Sequence, residues 1–302
     1  MIRRLFLAAG TLFVLSLSGT LFGQAANDSL VFARASWNTR PLAEGVQWRQ
    51  YHFKGQEKLF GANQYVSLLV VDQSAGKYRF QVAIEPGERQ RTSRAAEEAG
   101  ALAAINGSFY QTEPPYLPVG FLKAGGRILQ DELPSGRYVM IDSEGRLTVE
   151  CTGEDPSLRE EPEIVSTYTP MLVQEGKPLC GTGDTYRAPR TAVGVRGDTV
   201  LLLVVDGRAG RSRGVSLEET AKLMQWLGAE EALNLDGGGS STLYIRGERA
   251  HGVVNHPSDA LLGFSHRGER AVGHSILLLE KQPERVENDA EGNVESTEKS
   301  TL

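Results

Sequence analysis

The sequence predicts an α+β protein of mixed, mainly antiparallel β-sheets with a few packed helices. Short apolar runs bounded by turn residues outnumber helical patterns, and the two clear helical segments are 91–103 and 216–227. Each helical segment leads into a strand that ends in a polar, glycine-rich turn. Because strands and helices do not alternate regularly, the pattern favours α+β over a doubly wound parallel fold.

Most of the strands are predicted in pairs around short turns. Segments 65–71 and 78–84 alternate apolar and polar residues, and the turn residues 72–76 between them predict a hairpin. Segments 191–195 and 199–205 form a second predicted pair. Further strands are predicted at 120–122, 127–129, 138–141 and 147–149.

The helical segments carry start signals. Ser216 is followed three residues later by Glu219, which is a capping box. Apolar residues then recur at helical spacing, which indicates an amphipathic helix with one buried face. In the earlier helical segment, Thr92 or Ser93 is the expected N-cap.

The chain begins with the pattern of a secretory signal peptide at residues 1–25. Arg3 and Arg4 precede an apolar run at 5–17, and small residues lead to a cleavage position after Ala25. The run is shorter than the ~20 residues that span a bilayer, which disfavours a membrane anchor. We therefore expect a secreted or periplasmic protein with no stable membrane span.

The mature chain divides into an N-terminal segment (26–63), one main domain (64–281) and a disordered acidic tail (282–302). The tail is polar, mainly acidic and has no aromatic residue. Cys151 and Cys180 are the two cysteines. In an exported protein such a pair favours one disulfide over two separate thiols.

Composition excludes some classes of partner. The net charge is −6 and the isoelectric point is near 5.5, so no basic stripe is expected to bind a nucleic-acid backbone. Asp206, Asp236 and Asn106 have oxygen ligands that suit Ca²⁺ or Mg²⁺, but no ligand repeat requires a metal. We expect no metal and no other cofactor, and the sequence carries no signal for an oligomeric state.

The most informative segment is 232–242. A short apolar run ends at Asp236, and Gly237, Gly238 and Gly239 follow, with Ser240 and Ser241 after them. Three consecutive glycines indicate a sharp turn or a close approach of the backbone. Exposed N–H groups in such a turn form an anion cradle. A plain tight turn is the alternative.

Three other points share this arrangement of a polar residue at the end of an apolar run. They are Asn106, Arg190 and Asp206. Taken singly, each is explained by a turn or by a surface ion pair. Because sites assemble on loops at strand ends, the four points together predict one site.

Segments 104–110, 189–194, 205–208, 227–229 and 232–241 resemble the motifs of the phosphodiester glycosidase family, in the family's order. The resemblance covers about residues 65–279 and includes Asn255-His256-Pro257 and Arg270-Ala271-Val272. One departure is the segment 259–269, which is longer and more polar than the family pattern implies.

The resemblance implies an exported hydrolase that acts on a phosphorylated carbohydrate. It would cleave a sugar-1-phosphodiester between the anomeric carbon and the phosphate oxygen. Charge neutralisation at the phosphate and a carboxylate near the anomeric carbon are the chemical needs of that reaction. Arg190 is the expected phosphate clamp, Asp236 the expected nucleophile or base, and Asp206 the second choice.

The resemblance also implies a set of substrate-binding groups around these three residues. Asn106 is expected to contact a sugar hydroxyl or N-acetyl group, and His256 is the histidine best placed for acid–base work. The whole set is Asn106, Gly237, Gly238, Gly239, Ser240, Ser241, Asn255 and His256.

Two other functions compete with this hypothesis. A non-catalytic polysaccharide-binding protein of the cell envelope would use the same anion pocket. A serine hydrolase would use Ser240 or Ser241 as nucleophile, but the Gly-x-Ser-x-Gly elbow of such enzymes is absent from the sequence.

Overall fold

The structure is a computed structural model that describes residues 27–132, 136–151, 159–160, 162–166, 171–179, 183–249, 251–260 and 263–281. The expected signal peptide, the expected acidic tail and Cys180 lie outside these residues, and Cys151 is exposed. Across the described ranges, none of the helices combines the length and the apolar character that a membrane crossing requires.

The first strands are β1 (Asn38–Ala43), β2 (Val46–Phe53), β3 (Gln64–Asp72), β4 (Tyr78–Ile84), β5 (Gln90–Arg91) and β6 (Ala103–Asn106). The next are β7 (Leu122–Ala124), β8 (Arg127–Gln130), β9 (Arg137–Ile141), β10 (Leu147–Cys151), β11 (Glu163–Ser166), β12 (Met171–Gln174) and β13 (Lys177–Pro178). The last are β14 (Arg190–Arg196), β15 (Thr199–Val205), β16 (Glu231–Asn234), β17 (Leu243–Ile245), β18 (Ala271–Val272) and β19 (His274–Glu280).

The helices are α1 (residues 27–34), α2 (Thr92–Ala99) and α3 (Leu217–Trp226). The capping box of α3 is confirmed, because the Ser216 side chain accepts from the Glu219 N–H and the Glu219 side chain accepts from the Ser216 N–H. The N-cap prediction for α2 is wrong. Arg91 occupies that position, and the Ser93 N–H and hydroxyl instead donate to Glu269.

Most strands belong to three antiparallel sheets. The largest has eight strands in the order β1-β2-β3-β15-β14-β16-β12-β13, and the others have the orders β10-β9-β11-β7-β8 and β17-β6-β19-β4. A short pair, β18-β5, completes the described set. The α+β class with mainly antiparallel sheets is confirmed. Since β2 pairs with β3 along its whole length, the large sheet continues across the expected boundary at residue 64.

The two faces of the eight-stranded sheet bury two different cores. Leu69, Leu202 and Leu233 pack towards the five- and four-stranded sheets. Their neighbours in sequence face the opposite side, where they pack with Leu223 and Met224 of α3. This alternation is expected of strands that are covered on both faces, because successive side chains point to opposite sides.

The hairpin predicted for 65–71 and 78–84 is wrong, although both strands exist. β3 pairs with β2 and β15 in the large sheet, whereas β4 pairs with β19 in the four-stranded sheet. The apolar pattern of each strand fixes which faces it buries but not its partner, since that depends on residues far along the chain. The second predicted pair does form a hairpin, as β14 and β15.

Candidate functional site

Antiparallel pairing brings the predicted polar residues to one end of the large sheet. Arg190, the first residue of β14, pairs with Val205, the last residue of β15. Asp206 therefore follows at the same end of the sheet. On the other side of β14, Ala192 pairs with Asn234, two residues before Asp236. Asn106 arrives from the four-stranded sheet, where its Nδ2 donates to the Asp236 carbonyl at 2.7 Å. The four points therefore lie together.

A buried polar network holds the strand ends in place. Asn106 Oδ1 accepts from the Thr242 N–H at 3.1 Å, and Thr191 Oγ1 lies 3.0 Å from both Asn106 Oδ1 and Ser241 Oγ. The side chains of Asn106 and Ser241 are completely buried. These contacts differ from the sugar and phosphate contacts expected of the two residues, and they support a positioning role.

His274 supports the strand end at Ser108, and no pattern in the sequence predicted this role. Its Nε2 accepts from the Ser108 N–H at 3.0 Å. A Cβ on Gly107 would collide with the imidazole, so only glycine fits there. Burial lowers the pKa of His274 to about 4, and the ring is neutral at pH 7.

At each position of the triple-glycine loop, a different physical constraint requires glycine. A Cβ on Gly237 would lie 2.7 Å from the Pro189 carbonyl oxygen. Gly238 has a φ of 63° and donates its N–H to that carbonyl at 2.8 Å. A Cβ on Gly239 would collide with the side chains of Arg270 and Asp259. Because the Gly238 N–H donates to the Pro189 carbonyl, it is not available to an anion, and the expected three-residue cradle loses one of its donors.

Asp236 lies at the start of this loop and is half-buried. Burial raises the pKa of its carboxyl, while the Ser240 hydroxyl, the charge of Arg270 and the Gly237 N–H oppose that rise. A carboxyl with a raised pKa is a stronger base than an exposed one, which suits the expected role.

Two arginines that the sequence prediction passed over lie above the loop. Arg208 Nη2 is 3.0 Å from the position that a Cβ on Gly238 would take, and Arg270 covers Gly239. Arg208 is exposed and has a φ of 58°, which is uncommon for a residue with a side chain and is typical of functional sites. Both residues stand in the family-like motifs, and Arg208 directly follows Asp206-Gly207.

The two arginines differ in their partners. Arg270 is bound by Asp259, with Nε 2.7 Å from Oδ2 and Nη2 3.1 Å from Oδ1. Among the described residues, no carboxylate forms an ion pair with Arg208. Arg208 is therefore the more available cation.

Arg190, the expected phosphate clamp, is held by the protein itself. Its Nη2 donates to Asp184 Oδ2 at 2.9 Å and to the Tyr186 carbonyl at 2.8 Å, and its Nε donates to the Val215 carbonyl at 3.1 Å. Its Cα and Cδ lie 3.8 Å from the Cβ position of Gly237. These contacts make Arg190 part of the wall behind the loop.

Asp206 and His256 form a hydrogen-bonded pair. His256 Nδ1 is 2.7 Å from Asp206 Oδ2, and the His256 N–H and Asn255 Nδ2 also donate to the carboxylate. Only 1% of Asp206 is exposed, so its carboxylate is not available as a nucleophile and instead orients the imidazole. Asn255 is equally buried and contributes to holding Asp206.

Aromatic rings fix the imidazole of His256. Phe264 stacks on it with a centroid distance of 3.7 Å, and the Tyr65 ring lies nearly perpendicular to it with a centroid distance of 4.6 Å. The ring of His266 lies 4.1 Å away. Burial lowers the pKa of His266 to about 4, so this neighbour carries no charge at pH 7.

His256 lines a pocket of about 560 Å³, a size typical of small-molecule sites. Arg208, Arg211, Ser258 and Phe264 also line it, and no acidic side chain does so among the described residues. In a chain with a net charge of −6, this cationic lining favours an anionic ligand. Within the described ranges, no group of three or more His, Cys, Asp or Glu residues could hold a metal ion.

Comparison with known proteins gives one family and several relatives. The family model of phosphodiester glycosidases matches residues 99–279. The chain is 27% identical over 225 residues to bovine N-acetylglucosamine-1-phosphodiester α-N-acetylglucosaminidase, covering 65% of this chain and 42% of that protein. The chain thus spans less than half the length of the curated relatives it matches.

Solved structures share the fold. The catalytic domain of the zebrafish N-acetylglucosamine-1-phosphodiester α-N-acetylglucosaminidase, auto-inhibited by its pro-peptide, has a TM-score of 0.61 and 21% identity, and the match covers 79% of this chain and 85% of that one. A Burkholderia pseudomallei protein described as exported has a TM-score of 0.52 and 21% identity, with coverage of 72% and 74%.

Proposed function

Since the chain belongs to the phosphodiester glycosidase family, we propose that it hydrolyses a sugar-1-phosphodiester at the bond between the anomeric carbon and the phosphate oxygen. Water supplies the new oxygen on the anomeric carbon. The bridging oxygen leaves with the bonding electron pair, and the products are a free sugar and a phosphomonoester. The observation that carries this proposal is the pocket lined by Arg208, Arg211 and His256, in which Arg208 also covers Gly238 of the loop that begins at Asp236.

The phosphate would bind in the pocket next to Arg208. A guanidinium binds two phosphate oxygens at once, and Arg208 has no carboxylate to compete for it among the described residues. The Arg208 guanidinium lies over Gly238, with Nη2 3.0 Å from the position that a Cβ on Gly238 would take. Arg190 supports the loop from behind and contributes its positive charge to the same region.

Asp236 would act as the nucleophile or as the base for water. It is the less buried of the two candidate carboxylates, and Arg270 lies close enough to stabilise its charged form. Asp206 would orient His256 through the hydrogen bond to Nδ1. The remaining ring nitrogen, Nε2, would then face the pocket and hydrogen-bond a phosphate oxygen or exchange a proton with it.

The test offers the purified mature protein a panel of sugar-1-phosphodiesters in ¹⁸O-labelled water. We expect free sugar and phosphomonoester in equal amounts, with no label in the phosphate. Label in the phosphate would place cleavage at the phosphorus–oxygen bond, and sugar-1-phosphate as product would place it on the other side of the phosphorus. Binding of a phosphodiester without any product would instead indicate the envelope polysaccharide-binding protein.

We also propose that the protein is exported through residues 1–25. The arginine-led apolar run supports this, and one structural relative is described as exported. Fractionation of the producing cells tests it. We expect the protein outside the cytoplasm with an N-terminus at residue 26, and a cytoplasmic chain that keeps Met1 would contradict the proposal.

A further inference from the structure

The pocket beside His256 continues into two outer pockets. The first, of about 360 Å³, shares Ala260 with the pocket beside His256. The second, of about 450 Å³, shares Arg91, Arg267 and Glu269 with the first. The three pockets are therefore neighbours on the surface, and we call them together the extended cleft.

The triple-glycine loop lies where the inner and outer parts of the extended cleft meet. Arg208 lines the inner pocket and covers Gly238, while Arg270 lines an outer pocket and covers Gly239. The Cα atoms of consecutive residues are about 3.8 Å apart. The loop that begins at Asp236 is therefore in contact with one arginine of the inner pocket and one of the outer pocket.

The outer pockets carry two arginines that form no ion pair with another described residue. Arg91 and Arg267 line both outer pockets and are exposed. Neither forms an ion pair with another described residue, whereas Arg94 at the far end is paired with Glu98. A substrate with one isolated phosphodiester, bound in the inner pocket, would place no phosphate near Arg91 and Arg267.

The acidic side chains of the outer pockets are already engaged or lie at the rim. Asp259 is bound by Arg270. Glu269 accepts from the Ser93 N–H at 2.8 Å and from its hydroxyl at 2.5 Å. Glu97 lines only the pocket furthest from the loop. The charge of Arg91 reaches Glu269, where it opposes the rise in the pKa of that carboxyl, but neither Arg91 nor Arg267 has a carboxylate in an ion pair among the described residues.

We propose that Arg91 and Arg267 bind a second phosphate of the substrate, one repeat away from the reacting bond. The substrate class would then be a polymer whose sugars are joined by successive phosphodiesters. This inference rests on the proposed function of the inner pocket, because it identifies the substrate of that same site. Regularly spaced phosphates would meet Arg208 at the inner pocket and Arg91 and Arg267 in the outer ones.

The experiment compares kcat/KM for two synthetic substrates, one with a single sugar-1-phosphodiester and one with two in succession. We expect wild type to prefer the longer substrate by about tenfold, the size of one charge-assisted contact. The combined variant Arg91→Gln with Arg267→Gln should bring the ratio of the two kcat/KM values close to one. Raising the salt should reduce the preference, because exposed charges are screened.

Arg127→Gln is the matched control, since Arg127 is an exposed arginine of the five-stranded sheet outside the extended cleft. It should keep the wild-type ratio. Turnover of both substrates with equal kcat/KM would overturn the second phosphate site and leave the proposed function standing. A ratio that the double variant leaves unchanged would also overturn it.

Binding tests the same inference independently of turnover. A short linear inorganic polyphosphate should bind wild type and Arg127→Gln more tightly than the double arginine variant, by about tenfold. Equal affinity for all three proteins would overturn the inference. Tighter binding of a single-stranded oligonucleotide than of polyphosphate would do so as well, because it would assign the cleft to nucleic acid. Absence of turnover on every substrate, with this binding difference present, would count against the hydrolase alone.

Discussion

The imidazole Nδ1 of His256 lies 2.7 Å from Asp206 Oδ2, and the carboxylate is buried beneath it. Such a pair acts as a unit, because the carboxylate fixes the orientation and tautomer of the ring. We expect His256→Ala to lower kcat by roughly 10²–10⁴-fold, the usual range for an acid–base group. Asp206→Asn should have an effect of similar size.

The double variant of this pair should lose little more than either single variant, because the two residues perform one task. Steady-state kinetics on all four proteins measure this, with thermal unfolding to confirm that each is folded. If the fold-loss in kcat of the double variant equals the product of the two single losses, the two side chains act separately.

Arg208 and Arg190 should separate activity from stability. Arg208→Gln removes an exposed guanidinium and should lower kcat/KM by about 10²–10³-fold, as expected for one preorganised charge contact, without changing the melting temperature. Arg190→Gln removes the ion pair with Asp184 and the hydrogen bonds to the Tyr186 and Val215 carbonyls, and it should cost about 3 kcal/mol of unfolding free energy.

Kinetics and chemical denaturation of these two variants, with Arg127→Gln as control, measure the difference. The assignment of Arg208 to the phosphate is wrong if its substitution changes stability and leaves kcat/KM intact.

Gly237→Ala should distort the loop that carries Asp236. The added methyl group would lie 2.7 Å from the Pro189 carbonyl oxygen, which is backbone and cannot move aside. We expect a loss of about 1–3 kcal/mol, typical of overpacking, together with a large loss of activity. Gly210→Ala is the control, since nothing lies near its Cβ position. Equal unfolding free energies for the two variants would contradict this account.

Asp236→Asn should stabilise the protein at neutral pH. Burial raises the pKa of Asp236 above its ordinary value of 3.8, so the folded state disfavours the charged carboxylate. Wild-type stability therefore falls as the pH rises from about 4 through the folded-state pKa, by up to about 1.4 kcal/mol per pH unit. The asparagine variant lacks this fall and should be the more stable protein at pH 7.

Urea unfolding of both proteins between pH 4 and 7 measures the effect, and the same variant should lose activity by about 10²-fold or more. A variant that is less stable than wild type at pH 7 would show that Arg270 and the loop outweigh burial.

His274 should make the fold sensitive to acid. Its pKa is lowered from 6.5 to about 4 in the folded protein, so the unfolded chain binds a proton that the folded chain does not. Stability is full above pH 6.5 and is lost as the pH falls towards 4, at about 1.4 kcal/mol per pH unit. In His274→Gln, the unfolding free energy should fall less steeply with decreasing pH, by about 1.4 kcal/mol per pH unit between pH 6.5 and 4. Identical slopes in the two proteins would contradict the neutral, buried imidazole.

Much of the local structure could be predicted from the chain because local patterns encode it. The capping box of Ser216 and Glu219 and the hairpin of β14 and β15 depend on residues within a few positions of one another. The convergence of Asn106, Arg190, Asp206 and Asp236 could also be anticipated, because polar residues at strand ends are available to loops. Arg208 and Arg270 were within reach of the same reasoning, as they stand in the motifs already singled out.

By itself, the sequence determined the elements, the α+β class and the polar residues that meet at one edge of the sheet. Only the tertiary structure decided which of those residues are free to act. Arg190 is held in an ion pair with Asp184, and Asp206 is hydrogen-bonded to His256. Arg208 stays exposed above Gly238. The physical reason is that burial and hydrogen-bond partners come from segments distant in the chain, and no local pattern records them.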